Sequence, residues 1–273
     1  MLRVALPGGV DVALRPVGGD DEAWMLDSVD AIAPSVRATA LVARCLVGES
    51  DPERTSRALT VGDREAFLLH LRRATLGDVA DCVLQCPQCG ERMELELRLG
   101  DLLVPRYDDA APEYDLNVEH DDGRYAVRFR LPTADDLDCM SELARHAPEP
   151  AADDLLRRCV LHVSKNGAEI SVDDIPSAVR DAVSSSMAAK DPQAEIELAV
   201  TCPSCGAAFS IVFDTAMFFL QELEQRAARL VREVHVLASQ YHWSERDILR
   251  LPPARRAVYL ELIAESAAKG RSR

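Results

Sequence analysis

The sequence predicts an α+β fold of two tandem, pseudosymmetric repeats followed by a C-terminal helical arm, and three observations carry that prediction. Two C-P-x-C-G loops, at Cys86 and Cys202, each lie between strand-like segments. A series of landmarks recurs in the same order, every offset falling between 111 and 116 residues. Beyond Asp214 the pattern changes to an uninterrupted helical period. The boundaries that follow are 1–104 for the first repeat, 105–214 for the second and 215–273 for the arm.

Each repeat opens on a hairpin. Val4-Ala5-Leu6, a Pro7-Gly8-Gly9 turn and Val10 to Leu14 are matched by Leu116-Asn117-Val118, Asp121-Asp122-Gly123 and Tyr125 to Arg130. Glycine tolerates the positive φ that such turns demand. Asp20-Asp21 and Asp135-Asp136 then precede helix-like segments, and Arg44-Cys45-Leu46 and Arg158-Cys159-Val160 fall inside apolar helical stretches. Thr60-Val61-Gly62-Asp63 and Ser171-Val172-Asp173-Asp174 read as helix starts, each with a hydroxyl able to cap free N–H groups. The repeat therefore reads as hairpin, helix, helix, strand, Cys loop, strand. Its closing strands alternate, with Met93, Leu95, Leu97 and Leu99 in one and Phe209, Ile211 and Phe213 in the other.

In the arm, Phe219, Leu223, Ala227, Leu230, Val234, Leu237 and Tyr241 recur at spacings of three and four, one face of a helix from Thr215 to Tyr241. Ser244 is placed as the N-cap of a second helix, with Trp243 and Ile248 spaced for a hydrophobic staple. A third helix follows Pro252-Pro253, and Lys269 to Arg273 should fray. The apolar stripe must be covered, by partner proteins or by folding back on the repeats.

Composition narrows the function. A net charge of -15 and a pI near 4.8 disfavour nucleic acid and anionic membrane surfaces as partners. No run approaches the length of a transmembrane helix, so membrane insertion is not expected. The first residues, Met1-Leu-Arg-Val-Ala-Leu-Pro, lack the basic-then-apolar order of a signal peptide. A cytoplasmic location follows, and there the eight cysteines are expected as metal ligands and buried thiols rather than disulfides.

Cys86, Cys89, Cys202 and Cys205 are the candidate ligands of one structural Zn2+ per chain. Zinc takes four thiolates in a tetrahedron, and one C-x-x-C loop supplies two adjacent corners. The proline after each first cysteine stiffens the loop, and the glycine after each second one lets it turn. Two loops separated by about 110 residues form an unusual zinc ribbon unless each belongs to one repeat, which would put the metal on the seam. Four protein ligands leave no open position for a catalytic water. The competing reading is a thiol-disulfide redox protein or switch, since C-P-x-C also occurs in oxidoreductases; there a helix follows the second cysteine, and here a strand does.

Cys45, Cys159 and Cys139 read as core thiols, and Cys82 as a minor alternative ligand. His235 and His242, seven residues apart, read as packing or surface residues. No nucleophile elbow, P-loop, H-E-x-x-H or G-x-G-x-x-G is present, and neither a catalytic residue set nor a small-molecule substrate is expected.

The run Leu59-Thr60-Val61-Gly62-Asp63-Arg64-Glu65, the helix Leu68 to Arg73, Gly77-Asp78 and Cys86-Pro87-Gln88-Cys89-Gly90 resemble the baseplate proteins of T-even-type contractile phage tails. That family includes baseplate hub assembly chaperones and occurs in gene clusters for phage-tail-like contractile injection systems. Glu233 to Ala238, Tyr241-His242-Trp243-Ser244, Ile248-Leu249 and Arg255-Arg256 are similar to a second helical module of those clusters. Residues 105–150 carry the fewest specific landmarks. The resemblance implies a non-enzymatic structural or assembly protein whose partners are baseplate, hub or spike proteins of the same cluster. It leaves open a permanent subunit, incorporated into the particle, or an assembly factor that departs.

Overall fold

The computed structural model describes residues 1–271; Ser272 and Arg273, the last of those expected to fray, lie outside the described residues. Strands β1 (Leu2–Ala5) and β2 (Asp11–Leu14) form the first hairpin, closed by Leu6 N–H to Val10 O (2.9 Å) with Gly9 at φ +95°. Helices α1 (Gly19–Ser28) and α2 (Pro34–Cys45) follow, then β3 (Leu46–Val47), α3 (Pro52–Ala58) and α4 (Val61–Leu76). The hairpin β4 (Val79–Gln85) and β5 (Arg92–Arg98) completes this half.

The next half begins with the hairpin β6 (Tyr114–His120) and β7 (Gly123–Phe129). It continues through α5 (Ala134–His146), α6 (Pro148–Cys159), β8 (Val160–Lys165), β9 (Ala168–Glu169) and α7 (Ser177–Lys190). A last hairpin, β10 (Glu197–Thr201) and β11 (Ala208–Val212), leads into α8 (Thr215–Tyr241), α9 (Glu245–Leu249) and α10 (Pro253–Arg271). The fold is thus mixed helix and sheet.

Several elements differ from expectation for identifiable reasons. Cys45 and Cys159 are helical, but each is the last residue of its helix, and Leu46 and Val160, expected to continue it, begin strands that pair with β2 and β7. Arg15 N–H donates to Cys45 O (3.0 Å) and Arg130 N–H to Cys159 O (2.9 Å), drawing each chain onto the hairpin edge. The first half holds four helices, because Asp51 caps the unexpected α3 by accepting Arg54 N–H at 3.0 Å. Ser171 starts only a 3-10 turn, Val172–Asp174. Pro176 disfavours helical backbone at Ile175, and the real helix starts at Ser177. Thr60 does cap α4, accepting Asp63 N–H at 3.2 Å.

The arm folds back. Phe219, Leu220 and Leu223 of α8 are buried in one cluster with Leu6, Leu14, Met25, Leu41 and Leu68 of the first half. Exposing such side chains would cost roughly 2 kcal/mol each, so the stripe is used internally rather than offered to a partner. Three ion pairs fix the seat: Arg226 to Glu22 (2.8 Å), Arg37 to Glu224 (2.8 Å) and Arg72 to Glu222 (2.7 Å). Helix α8 ends at His242, whose φ of +55° turns the chain toward α9. Trp243 stacks on Tyr241 and meets Tyr259 edge-on, at centroid distances of 4.7 and 4.9 Å.

A second apolar cluster, centred on Tyr125, Val127, Phe129, Cys159 and Val183, belongs to the second half. A third, with Leu69, Ala80, Leu99 and Phe213, joins α4 to the two Cys-bearing hairpins.

Candidate metal centre

Both hairpin tips have the same local construction. In β4–β5, Cys86 N–H donates to Glu91 O (2.9 Å), Gly90 N–H donates to Cys86 O (3.0 Å), and Gly90 sits at φ +74°. In β10–β11, Cys202 N–H donates to Ala207 O (2.8 Å), Gly206 N–H donates to Cys202 O (2.9 Å), and Gly206 sits at φ +73°. A side chain at either glycine would strain this left-handed backbone. The turn bends each C-x-x-C pair so that both sulfurs leave the tip on one side.

The two tips meet. Cys86 Sγ lies 3.8 Å from Cys205 Sγ, and Cys89 Sγ 3.7 Å from Cys202 Sγ. All four sulfurs are within 4.8 Å of one another. Four thiolates at about 2.3 Å from a central Zn2+ are about 3.8 Å apart along each edge of the tetrahedron. The pairs are far too long for disulfides, whose sulfurs are bonded at about 2.05 Å. The donor set therefore fits a soft or borderline metal ion, and these four cysteines could hold one. Cys86 and Cys202 are buried, while Cys89 and Cys205 are exposed. Met93, with Leu84, Val200 and Phe209, walls the buried side.

The peptide N–H groups favour thiolate at one sulfur in particular. The Cys89 N–H, helped by that of Gln88, brings the Cys86 thiol down to about 7 against a burial penalty. At Cys89 the Glu91 N–H pulls the same way, but burial and the crowding of Cys205, Cys86 and Cys202 outweigh it and push the thiol up to about 12. Four thiols this close cannot all ionise without a cation between them.

The remaining cysteines separate from this group. Cys82 is buried in the third cluster, where desolvation raises its pKa, and it is not among the four converging sulfurs. Burial pushes Cys45 up to about 12 and Cys159 up to about 11, as inert core thiols. Cys139 is not in the core: it is exposed, and its neighbour Met140 takes the inward face of α5. Neither His235 nor His242 joins a metal-ligand group among the described residues.

Two polar clusters carried no sequence signal, because their members lie far apart in the chain and follow no period. Glu22 receives Arg226 (2.8 Å) and Arg256 (2.8 Å) in a buried network. Asp63 accepts Gly8 N–H (2.7 Å), while Asp191 accepts Gly62 N–H (2.9 Å) and the Tyr107 hydroxyl (2.8 Å). The Asp63 and Asp191 bonds tie a hairpin turn and the end of α7 to the start of α4. Among the described residues, no helix is long and apolar enough to cross a membrane.

A chain of mixed helix and sheet whose helical core carries two cysteine-tipped hairpins, with four sulfurs gathered at their junction, has a candidate metal centre. The chain belongs to the family of T4 bacteriophage base plate proteins, whose family model matches residues 7–220. No curated protein and no solved structure matches the chain.

Proposed function

We propose that this protein is a non-enzymatic structural or assembly component of the baseplate of a contractile, phage-tail-like injection system. In this reading it consists of two fused repeats, 1–104 and 105–214, clasped by one structural Zn2+ on Cys86, Cys89, Cys202 and Cys205. Residues 215–273 brace the first repeat. The family supports the baseplate role. The observation that carries the clasp is the spacing of 3.7 and 3.8 Å between sulfurs from different hairpins.

The duplication draws support from details that have no reason to recur otherwise. Helices α2 and α6 both begin with proline, both end at cysteine and both span 12 residues. Asp21 accepts Gly18 N–H and pairs with Arg15, while Asp136 accepts Thr133 N–H and pairs with Arg130. When bound, zinc would supply folding energy, because thiolates on separate repeats do not converge in an unfolded chain. The partners in this reading are baseplate, hub or spike proteins, reached in the cytoplasm during assembly.

Metal analysis of the purified chain tests the clasp. One zinc per chain is expected, and Cys86→Ser and Cys202→Ser should each lose it and lower the thermal midpoint. Retention of full zinc and stability by either variant refutes the shared site. A chain isolated without metal, with its C-P-x-C pairs cycling between dithiol and disulfide, would favour the redox alternative.

A further inference from the structure

Helix α8 is seated on the helices of the first repeat. Its seat on the first is formed by α1, α2 and α4, and that seat is charged as well as apolar. Glu22, Arg37 and Arg72 each meet an oppositely charged residue of α8. In the second half the corresponding helices are α5, α6 and α7; α2 and α3 pack on α5, while α6 and α7 keep an open face. An open groove of about 810 Å³ occupies that place.

The register of the two halves shows what changed. Asp21 and Asp136 make the same helix-start bonds, so Leu137 stands where the first half has Glu22. Helices α2 and α6 align from proline to cysteine, so Ala151 stands in place of Arg37 and Leu155 in place of Leu41. Met187 of α7, with Leu155 and Leu156, forms the apolar floor. Among the described residues no lysine or arginine lines the groove, while the exposed Glu195 and Glu197 edge it on the β10 side. Val212, 59% exposed, closes the far wall. The counterparts of Glu22 and Arg37 are thus uncharged, and the apolar floor is retained.

We propose that this groove is the docking site for an amphipathic helix from another protein, apolar across its seating face and basic along the edge that meets Glu195 and Glu197. The intramolecular seat of α8 supplies the geometry, and the acidic rim supplies the sign of the flanking charge. The chain's own α8 does not suit the second seat. Glu224 and Arg226 would there meet alanine and leucine, the counterparts of Arg37 and Glu22, and burying unpaired charges costs several kcal/mol. The inference rests on the two-repeat reading.

The probe is a fluorescein-labelled peptide of residues 215–241 carrying Glu222→Leu, Glu224→Ala and Arg226→Leu, which keeps Arg229 and Arg232. Titrated with the full chain, it should give a saturable rise in anisotropy. The unsubstituted peptide should bind at least about tenfold more weakly, the equivalent of one lost pairing. Leu155→Arg in the protein should abolish the rise. Ala152→Trp, at an exposed position that costs folding little, should do the same with an unchanged thermal midpoint. Absence of binding, or binding unaffected by both groove substitutions, overturns the proposal. So does a dimer in sedimentation that Ala152→Trp dissociates, since a second copy would then be the occupant. Zinc content, measured on the same samples, separates this inference from the proposed function: peptide binding can fail while one ion remains shared between the loops, which leaves the clasp standing. Absence of the shared ion would remove the clasp whatever the peptide does.

Discussion

Replacing Glu22 by glutamine should release the C-terminal helices. The Glu22 carboxylate is 1% exposed and is shared by two arginines. Its Oε1 accepts from Arg226 Nε (2.9 Å) and Nη2 (2.8 Å), and its Oε2 accepts from Arg256 Nη2 (2.8 Å). Glutamine fills the same volume but carries one acceptor oxygen, and its NH2 must face one guanidinium with N–H against N–H. Arg226, with its side chain 30% exposed, can turn to water. Arg256, 2% exposed, cannot. It keeps Glu233 (2.8 Å) and Leu251 O (3.0 Å), which limits the loss. Breaking a buried pair costs about 3–5 kcal/mol, and the two surviving partners place this case at about 3 kcal/mol. At about 1.4 kcal/mol per factor of ten, amide exchange in α10 should accelerate by roughly a hundredfold. Adding Arg256→Met should return much of that loss, since it removes the stranded charge. Exchange in α10 that stays within a factor of two of the parent for Glu22→Gln would refute this account of what holds the arm.

Burial pushes Asp63 up to about 6, against the Gly8 N–H that holds it down and with the Asp191 charge adding to the rise. An acid raised in the folded state contributes stability that is present below about pH 4 and is lost as pH rises through about 6. The unfolding free energy from urea titrations should therefore fall over that window by up to about 3 kcal/mol, and Asp63→Asn should flatten the decline. Among thiols, Cys139 should react with a maleimide within seconds while Cys45 and Cys159 react only on unfolding; protection of Cys139 would place it in an interface. Gly62→Ala puts a methyl into the Asp191 carboxylate that accepts the Gly62 N–H, and should cost about 2 kcal/mol or more in chemical denaturation.

Features that depend on neighbours in the chain were legible before folding. The limits of α8 follow from an apolar period of three and four running from Thr215 to Tyr241, and the caps at Thr60 and Ser244 follow from an oxygen side chain three residues before the N–H it accepts. The C-P-x-C-G spacing likewise picks out the four candidate cysteines, because a glycine at positive φ after the second cysteine is a local requirement. Other features come from contacts between distant elements. Whether Cys45 and Cys159 continue a helix or end it depends on Arg15 and Arg130, about 30 residues upstream, whose N–H groups take the cysteine carbonyls. The side to which α8 turns its stripe depends on Glu22, Arg37 and Arg72, which no period connects to Arg226, Glu224 and Glu222. That Cys86 comes to lie beside Cys205, and Cys89 beside Cys202, is a property of two hairpins packed on one helix. Local chemistry shapes each tip, and only the packing of distant elements brings the sulfurs within reach of one ion.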